Sequence, residues 1–506
     1  MKFLKPAVNR FLSISLALLV QVVVLVVISM FFDDRVHEVN TVIRMLSILV
    51  VLFIINESCN PSIKMAWIVF ILITPVFASM LYVLLGGKHP RRHLRKACSV
   101  AEKRHSRFRT KNLVAENGLK KEDMHLYTQS RYLENLGFPV CNNTDVSYYG
   151  LGDEAFPVML EELEKAKRFI FLEYFILDDG EMLSAIENVL ERKVKEGVEV
   201  RLIYDDMGSV FSIPWGYGKK LEEKGIKCLA FNPYLPVISA AMNNRDHRKI
   251  LVVDNRVAFT GGINIADEYI NKKEKYGHWK DNAIMLKGDG VREFTLMFLD
   301  MWNAFRDKRE DISPFLTLCD YSAKQEGFVQ PFADTPLDDE TVGERVYLSA
   351  INSAQDYIYI YTPYLIPDNE LNGALCMAAK KGVKVKLIVP GIPDKKVVYS
   401  MTKSYYRTLI EQGVEIYKYT KGFIHAKGFV CDDSLCCAGT INLDFRSMCH
   451  HFECGCVCYK APVIAQMKRD MEKTLEMCEK ITEYQRFKGF WGSMYHAILR
   501  LIAPLM

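Results

Sequence analysis

Long uncharged runs occur only near the start of the chain. Residues 11–32 are twenty-two positions without a charge, enough at 1.5 Å rise per residue to span roughly 30 Å of bilayer hydrocarbon. Residues 45–55 make a shorter run. Residues 65–85 are again long enough to cross, with Trp67 and Tyr82 near the two ends, where interfacial aromatics gather. A cleaved signal peptide has an apolar part of only ~7–15 residues followed by a small-residue cleavage site, and neither feature fits. Residues 1–87 therefore read as a transmembrane region of two or three spans.

From residue 132 the pattern changes to an alternation of strand-like and helix-like segments. RFIFLEYFIL (168–177) predicts a strand, 181–197 a helix closed by Gly197, and VEVRLIYDD (198–206) the next strand, together a βαβ unit. The same phrase returns at 357–366, 370–382 and 383–391. The fold class is therefore α/β, an internal duplication into halves at 132–330 and 331–485, with the proline- and acid-containing stretch 323–342 as the linker between them. Between the apolar region and the first half, residues 88–131 read as a basic juxtamembrane linker. Ten Lys and Arg residues between Lys88 and Lys111 face one acid, Glu102, so this end is expected to be cytoplasmic, either solvated or in contact with anionic headgroups. At the other end, 486–506 is an amphipathic tail in which Trp491, Met494, Ile498 and Leu501 recur at helical spacing. Core packing and an interfacial position both suit it. Trp491 and Tyr495 beside Lys488, His496 and Arg500 favour the interface.

Composition narrows the function classes. Lys and Arg number 65 against 61 Asp and Glu, a net charge of +4, which with apolar spans argues against a nucleic-acid partner. Of fourteen cysteines, seven fall between Cys431 and Cys458. Cys454, Cys456 and Cys458 alternate, as small buried residues on a strand do. No C-x-x-C pair closes a zinc site, so no metal is expected, and free thiols fit a reducing compartment.

Each half repeats a sharper pattern. The first contains His247, Lys249 and Asp254, the second His425, Lys427 and Asp432. Both obey H-x-K-x4-D, followed after six more residues by G-[GT]-x-N, which contains Asn264 in one half and Asn442 in the other. On a strand, residues i and i+2 share a face, so each imidazole and ammonium project together. Two halves facing one another would surround one anion with two imidazoles and two ammoniums. A phosphodiester suits such a site: Lys249 and Lys427 neutralise the non-bridging oxygens, Asn264 and Asn442 donate hydrogen bonds, one imidazole attacks and the other transfers protons. Asp254 and Asp432 are read as braces of the local turn. Asp281 and Glu453 are candidates for orienting an imidazole through its second nitrogen, with a solvated carboxylate as the alternative.

The paired motifs resemble the phospholipase D superfamily. The chain as a whole is similar to the bacterial cardiolipin synthases within it, through NPSIKMAW, LEYFILDDG, GVEVRLIYDD, NRDHRKILVVD, GGINIADEY, WKDN, YTPYLIPD, GVKVKLIVPG, GFIHAKGFV and GTINLDFRS. The resemblance implies two phospholipase D-like halves packed as a pseudo-dimer in a multi-pass membrane protein. It also implies transfer of a phosphatidyl group from one phosphatidylglycerol to another with release of glycerol, through a phosphatidyl-histidine on His247, without cofactor. Water or serine as acceptor, or a membrane scaffold without activity, are the alternatives. The run at 11–32, the cysteine cluster and CHHFE before Glu453 depart from the family's pattern.

Overall fold

The computed structural model describes residues 15–16, 18–27, 30, 37–86, 92–234, 240–306, 310–317, 320–482 and 490–505. Of the expected span 11–32, residues 11–14, 17, 28–29 and 31–32 lie outside them, as do Lys88, Arg91, 486–489 and Met506.

Two sheets of one design form the centre. The first half supplies β1 (Thr144–Tyr149), β2 (Phe169–Tyr174), β3 (Glu199–Asp205), β4 (Lys227–Phe231), β5 (Arg245–Asp246), β6 (Lys249–Val253), β7 (Val257–Gly261), β8 (His278–Lys280) and β9 (Ala283–Gly288). The second supplies β10 (Phe328–Asp334), β11 (Tyr357–Tyr361), β12 (Lys384–Pro390), β13 (Glu415–Tyr419), β14 (Gly422–Ile424), β15 (Gly428–Cys431), β16 (Leu435–Gly439), β17 (His451–Tyr459) and β18 (Cys478–Lys480). Spatial order is β1-β9-β7-β6-β2-β3-β4 in one sheet. In the other it is β10-β17-β16-β15-β11-β12-β13, with β18 added at the edge. Every pair has the same sense in both: β2, β3 and β4 run parallel like β11, β12 and β13, and the remainder are antiparallel. Strands β2 and β11 are buried throughout, which explains their near-continuous apolar sequences.

The last helix of each half, Val291–Phe305 and Val463–Glu476, covers its own sheet and reaches the other half's first strand, β10 and β1 respectively. One continuous core runs through both halves, including Phe171, Phe298 and Trp302 from the first and Ile360, Leu387 and Phe429 from the second. Two short parallel pairs stitch the halves together: β5 with the start of β17, and β14 with β8.

Three readings of the sequence need correction. Within the expected linker 88–131, the described residues from Arg92 onward are not a free linker. Helix Arg92–His105 buries Cys98, Ala101 and His105 against Val291–Phe305, where His105 Nδ1 lies 2.6 Å from Asp300 Oδ1 and Arg109 pairs with the same carboxylate. Its few buried positions are spaced three and four apart among surface charges, so the packed face is thin. The expected linker 323–342 contains β10, which pairs with β17 and is itself buried. The third apolar run is divided into Pro61–Ile73 and Pro75–Leu85, because Pro75 has no N–H to continue a helix and is suited to a first turn. Trp67 and Tyr82 then pack edge to face at 5.3 Å instead of marking two interfaces. With His37–Asn56 these helices form a small apolar cluster, and among the described residues no helix is long and apolar enough to cross a membrane.

The terminal helix Phe490–Ile502 has both expected faces. Leu499 packs with Met401, Ile366 and Phe445, while Met494, Tyr495 and Ile498 are exposed.

The β14–β8 stitch leaves no room for a side chain at Gly422, where a Cβ would stand 2.2 Å from the His278 carbonyl oxygen. Gly422→Ala should separate the strands and lower the melting temperature and turnover together. Full activity in that variant would show that the stitch does not set the relation of the halves.

Candidate active site

The two stitches share one register. In the first, Arg245 and Asp246 lie opposite His451 and Phe452, so the next residues, His247 and Glu453, meet. In the second, Gly422, Phe423 and Ile424 lie opposite His278, Trp279 and Lys280, so His425 meets Asp281. The backbone continues each pairing by one bond: His247 N–H donates to the Phe452 carbonyl at 2.9 Å and His425 N–H to the Lys280 carbonyl at 2.7 Å. Each motif histidine therefore rests against a carboxylate of the opposite half. His247 Nδ1 is 2.9 and 3.0 Å from the two Glu453 oxygens, and His425 Nδ1 is 2.8 Å from Asp281 Oδ2. Nδ1–H as donor to a carboxylate leaves Nε2 for chemistry.

The lysines follow on the same strand face. Lys249 Nζ donates to the His247 carbonyl at 2.7 Å. Lys427 Nζ bonds the His425 carbonyl and lies 2.7 Å from His425 Nδ1. Arg248, between His247 and Lys249, points to the other side, toward the Asp334 and Glu453 carbonyls.

Asp254 and Asp432 stand away from the imidazoles. Asp254 has φ +56° and its carboxylate accepts the backbone N–H groups of Lys167, Arg168 and Phe169 at 2.7–2.8 Å. Asp432, at φ +49°, accepts those of Gln355, Asp356 and Tyr357 at 2.7–2.9 Å. Each closes the hairpin after the motif strand and ties it to the start of β2 or β11.

Asn264 differs from the expected phosphate donor. Its oxygen accepts from Ile176 N–H at 3.1 Å and its nitrogen donates to the Tyr269 hydroxyl at 2.7 Å, so its amide is tied into the scaffold. Asn442 is buried, and its side-chain oxygen has no hydrogen-bond partner among the described residues.

Several contributors escaped the sequence reading. Asp205, at the end of β3, grips the Arg245 guanidinium with both oxygens at 2.7–3.0 Å and accepts Asp246 N–H, which fixes the strand leading into His247. The doubled acid in VEVRLIYDD was its only signal. Thr440 and Ser447 donate hydroxyl bonds to Glu453. In the other half Gly262 replaces Thr440, and a Cβ there would stand 1.9 Å from Asp281 Oδ1. His451 and Trp279 occupy corresponding positions two residues before each acid, with ring centres 5.3 Å from His247 and 5.6 Å from His425 respectively. His247, His451 and Glu453 offer donor atoms within 4.8 Å of one another, a possible metal-holding group that corrects the expectation that no ligand cluster exists.

Burial and mutual repulsion disfavour positive charge on the imidazoles and lysines of the site. His247 is held well below its ordinary value by burial, then Lys249, His451, Lys427 and His425. Burial and Lys427 bring His425 down to about 4, against the pull of Asp281. Burial lowers Lys249 to about 8 and Lys427 to about 7. It pushes Glu453 well up despite Lys249 and the two hydroxyls. Burial also opposes ionisation of Asp281, but His425 and Lys427 hold that carboxyl below its ordinary range. An anion brought between the two imidazoles and the two lysine side chains would favour their charged forms.

The family model described as "Cardiolipin synthase, PLD-like domain" matches residues 159–302 and 347–475, and one described as "Phospholipase_D-nuclease N-terminal" matches 45–87. A cardiolipin synthase of Alkalihalophilus pseudofirmus is 31% identical over 480 residues, 93% of this chain and 94% of that protein. One of Halalkalibacterium halodurans is 32% identical over 466 residues, 90% and 91% of the two chains. An uncharacterised protein of Streptococcus mutans is 43% identical over 461 residues, 90% of this chain and 99% of its own. Among solved structures, phosphatidylserine synthase of Haemophilus influenzae superposes with TM-score 0.57 at 14% identity, covering 74% of this chain and 98% of its own, a likeness of fold.

Two expectations follow. Above pH about 7–8 the free site loses its ammonium charges, so the KM for an anionic phosphodiester should climb with pH. kcat, measured with the anion bound and the ammoniums restored, should hold to higher pH; a KM flat to about pH 10 would contradict this origin of binding. Asp254→Ala should cost about 1–3 kcal/mol of stability through three unpaired N–H groups while the folded fraction keeps turnover within a few-fold. A loss as large as that of a motif histidine would give Asp254 a direct role.

Proposed function

The chain belongs to the cardiolipin synthase family of phospholipase D-like phosphatidyltransferases, and from that membership and the geometry of its site we propose how its side chains share the reaction. The enzyme transfers a phosphatidyl group from one phosphatidylglycerol to a second, releasing glycerol, through a phosphatidyl-histidine intermediate. The observation that carries the assignment of roles is the crossed pairing: each motif imidazole is hydrogen-bonded through Nδ1 to a carboxylate of the other half, with a lysine two residues on.

In this reading the phosphodiester lies between the halves, with its non-bridging oxygens facing the Lys249 and Lys427 ammoniums. His247 Nε2 attacks phosphorus, and Glu453 stabilises the positive charge that develops on the imidazole. His425, oriented by Asp281, gives its proton to the departing glycerol oxygen, so a P–O bond breaks as the P–N bond forms. The glycerol hydroxyl of the second phosphatidylglycerol then gives its proton to His425 and attacks phosphorus, and the P–N bond breaks to restore His247. One bond is exchanged for its like at each turn, and no nucleotide is needed. The choice of His247 as nucleophile follows the family resemblance.

Acceptor selection follows from placement at a lipid surface, where headgroup hydroxyls outcompete water. The exposed Leu49, Phe53, Leu72 and Val83 of the first helices and Tyr495 and Ile498 of the last support attachment there. The basic segment before the first half supports a membrane-embedded N-terminal region with the catalytic halves on the cytoplasmic side.

Labelled phosphatidylglycerol in mixed micelles should yield cardiolipin and free glycerol. His247→Ala and His425→Ala should each lower turnover on the order of a thousandfold or more with melting temperatures near that of the parent protein. A few per cent of activity left in either variant would defeat the shared site. Phosphatidic acid as the main product would replace the synthase reading with a hydrolase.

A further inference from the structure

Where Trp279 walls His425, the opposite half-site has His451 beside His247. His451 is buried, 8% exposed, yet among the described residues neither of its ring nitrogens has a hydrogen-bond partner. An imidazole hidden from water ordinarily satisfies at least one nitrogen, so this open pair is costly unless something fills it. Glu453 Oε1 lies 3.7 Å from His451 Nδ1 and 2.9 Å from His247 Nδ1. These two separations bracket the roughly 3.4 Å edge of a tetrahedron whose ligand bonds are about 2.1 Å.

We propose that His247, His451 and Glu453 form an inhibitory binding site for a borderline transition-metal dication of the zinc type. Two imidazoles and one carboxylate are a donor set that zinc accepts, and they leave a fourth position for a water or phosphate oxygen. Thr440 and Ser447 hold the Glu453 carboxylate by hydroxyl bonds, the supporting shell that orients a ligand. The metal is not a cofactor of the transfer. Bound to the imidazole of His247 it withdraws the electron density that Nε2 needs for attack and takes Glu453 from its partner. Lys249, Arg446, His450 and Arg245 face His451 and repel a dication, so the site is reversible and weaker than a closed structural zinc centre.

The inhibitory consequence rests on the reading of His247 as the reactive imidazole, whereas binding does not, and the experiment separates them. The full-length protein in detergent micelles is titrated with zinc against a chromophoric chelator, then assayed with and without zinc and after EDTA. Zinc should bind once per chain, and His451→Asn and His451→Phe should each weaken that binding by about tenfold or more. Wild-type turnover should fall about tenfold at saturating zinc and recover with EDTA, while the turnover of each variant, compared with its own zinc-free rate, should not fall. Binding absent from the parent protein, or unchanged in both variants, overturns the site. Binding through His451 that leaves turnover intact overturns the role of His247 instead.

Discussion

Everything in the site depends on a backbone pairing between halves. A strand leading to each histidine runs parallel to a strand leading to an acid of the other half, in a register that brings imidazole and carboxylate together one residue beyond the last ladder position. A one-residue slip would turn every side chain of these short strands to the opposite face. The register is fixed from several sides: by Asp205 holding Arg245 and the Asp246 N–H, by the bare backbone of Gly422 against His278, and by a core that passes through both sheets without a break. Neither half alone supplies the carboxylate against which its own motif imidazole rests. The duplication is thus no redundancy of two sites but the means of building one.

Much of this architecture can be read from residue pattern. The βαβ phrases at 168–206 and 357–391 are visible because fully buried parallel strands require unbroken apolar runs, and the helices between them show a 3.6-residue period. The H-x-K spacing also survives translation, since alternation on a strand is a local rule; Asp254 and Asp432 do sit in the turn after it, but the backbone N–H groups that their carboxylates accept lie 75 to 87 residues earlier. What is not legible depends on distant partners. Nothing in 92–105 announces that Cys98, Ala101 and His105 pack under Asp300, because a basic exposed surface dominates its composition. The pairing in β10 sits inside a stretch whose prolines and acids resemble a linker. Asp281 and Glu453 were identifiable as candidate orienting acids near WKDN and HFE, but their exchange between halves is invisible in one dimension. Asn264 looks like a phosphate donor by its place in the motif, and only the three-dimensional arrangement shows its amide occupied by Ile176 and Tyr269.

The two half-sites share a backbone plan and differ in chemistry, and the differences fall into one pattern. Around His425 the acid is the shorter Asp281, given room by Gly262 and walled by Trp279; Lys427 stands within hydrogen-bond distance of the ring. Around His247 the acid is the longer Glu453, held by two hydroxyls, with a second imidazole in place of the indole. An ionised Asp281 beside a crowded imidazole keeps a ring that can pick up and release a proton repeatedly, as a general acid and base must. A carboxylate fastened at both oxygens beside His247 keeps a fixed ring orientation, as in-line attack and a covalent intermediate must. Two identical half-sites would offer two equally good nucleophiles and no committed acid. In the proposed reading the differences at Gly262 and Thr440, Asp281 and Glu453, Trp279 and His451 distinguish the two imidazoles on one backbone plan, because each of these side chains hangs on a backbone the pairing has already fixed.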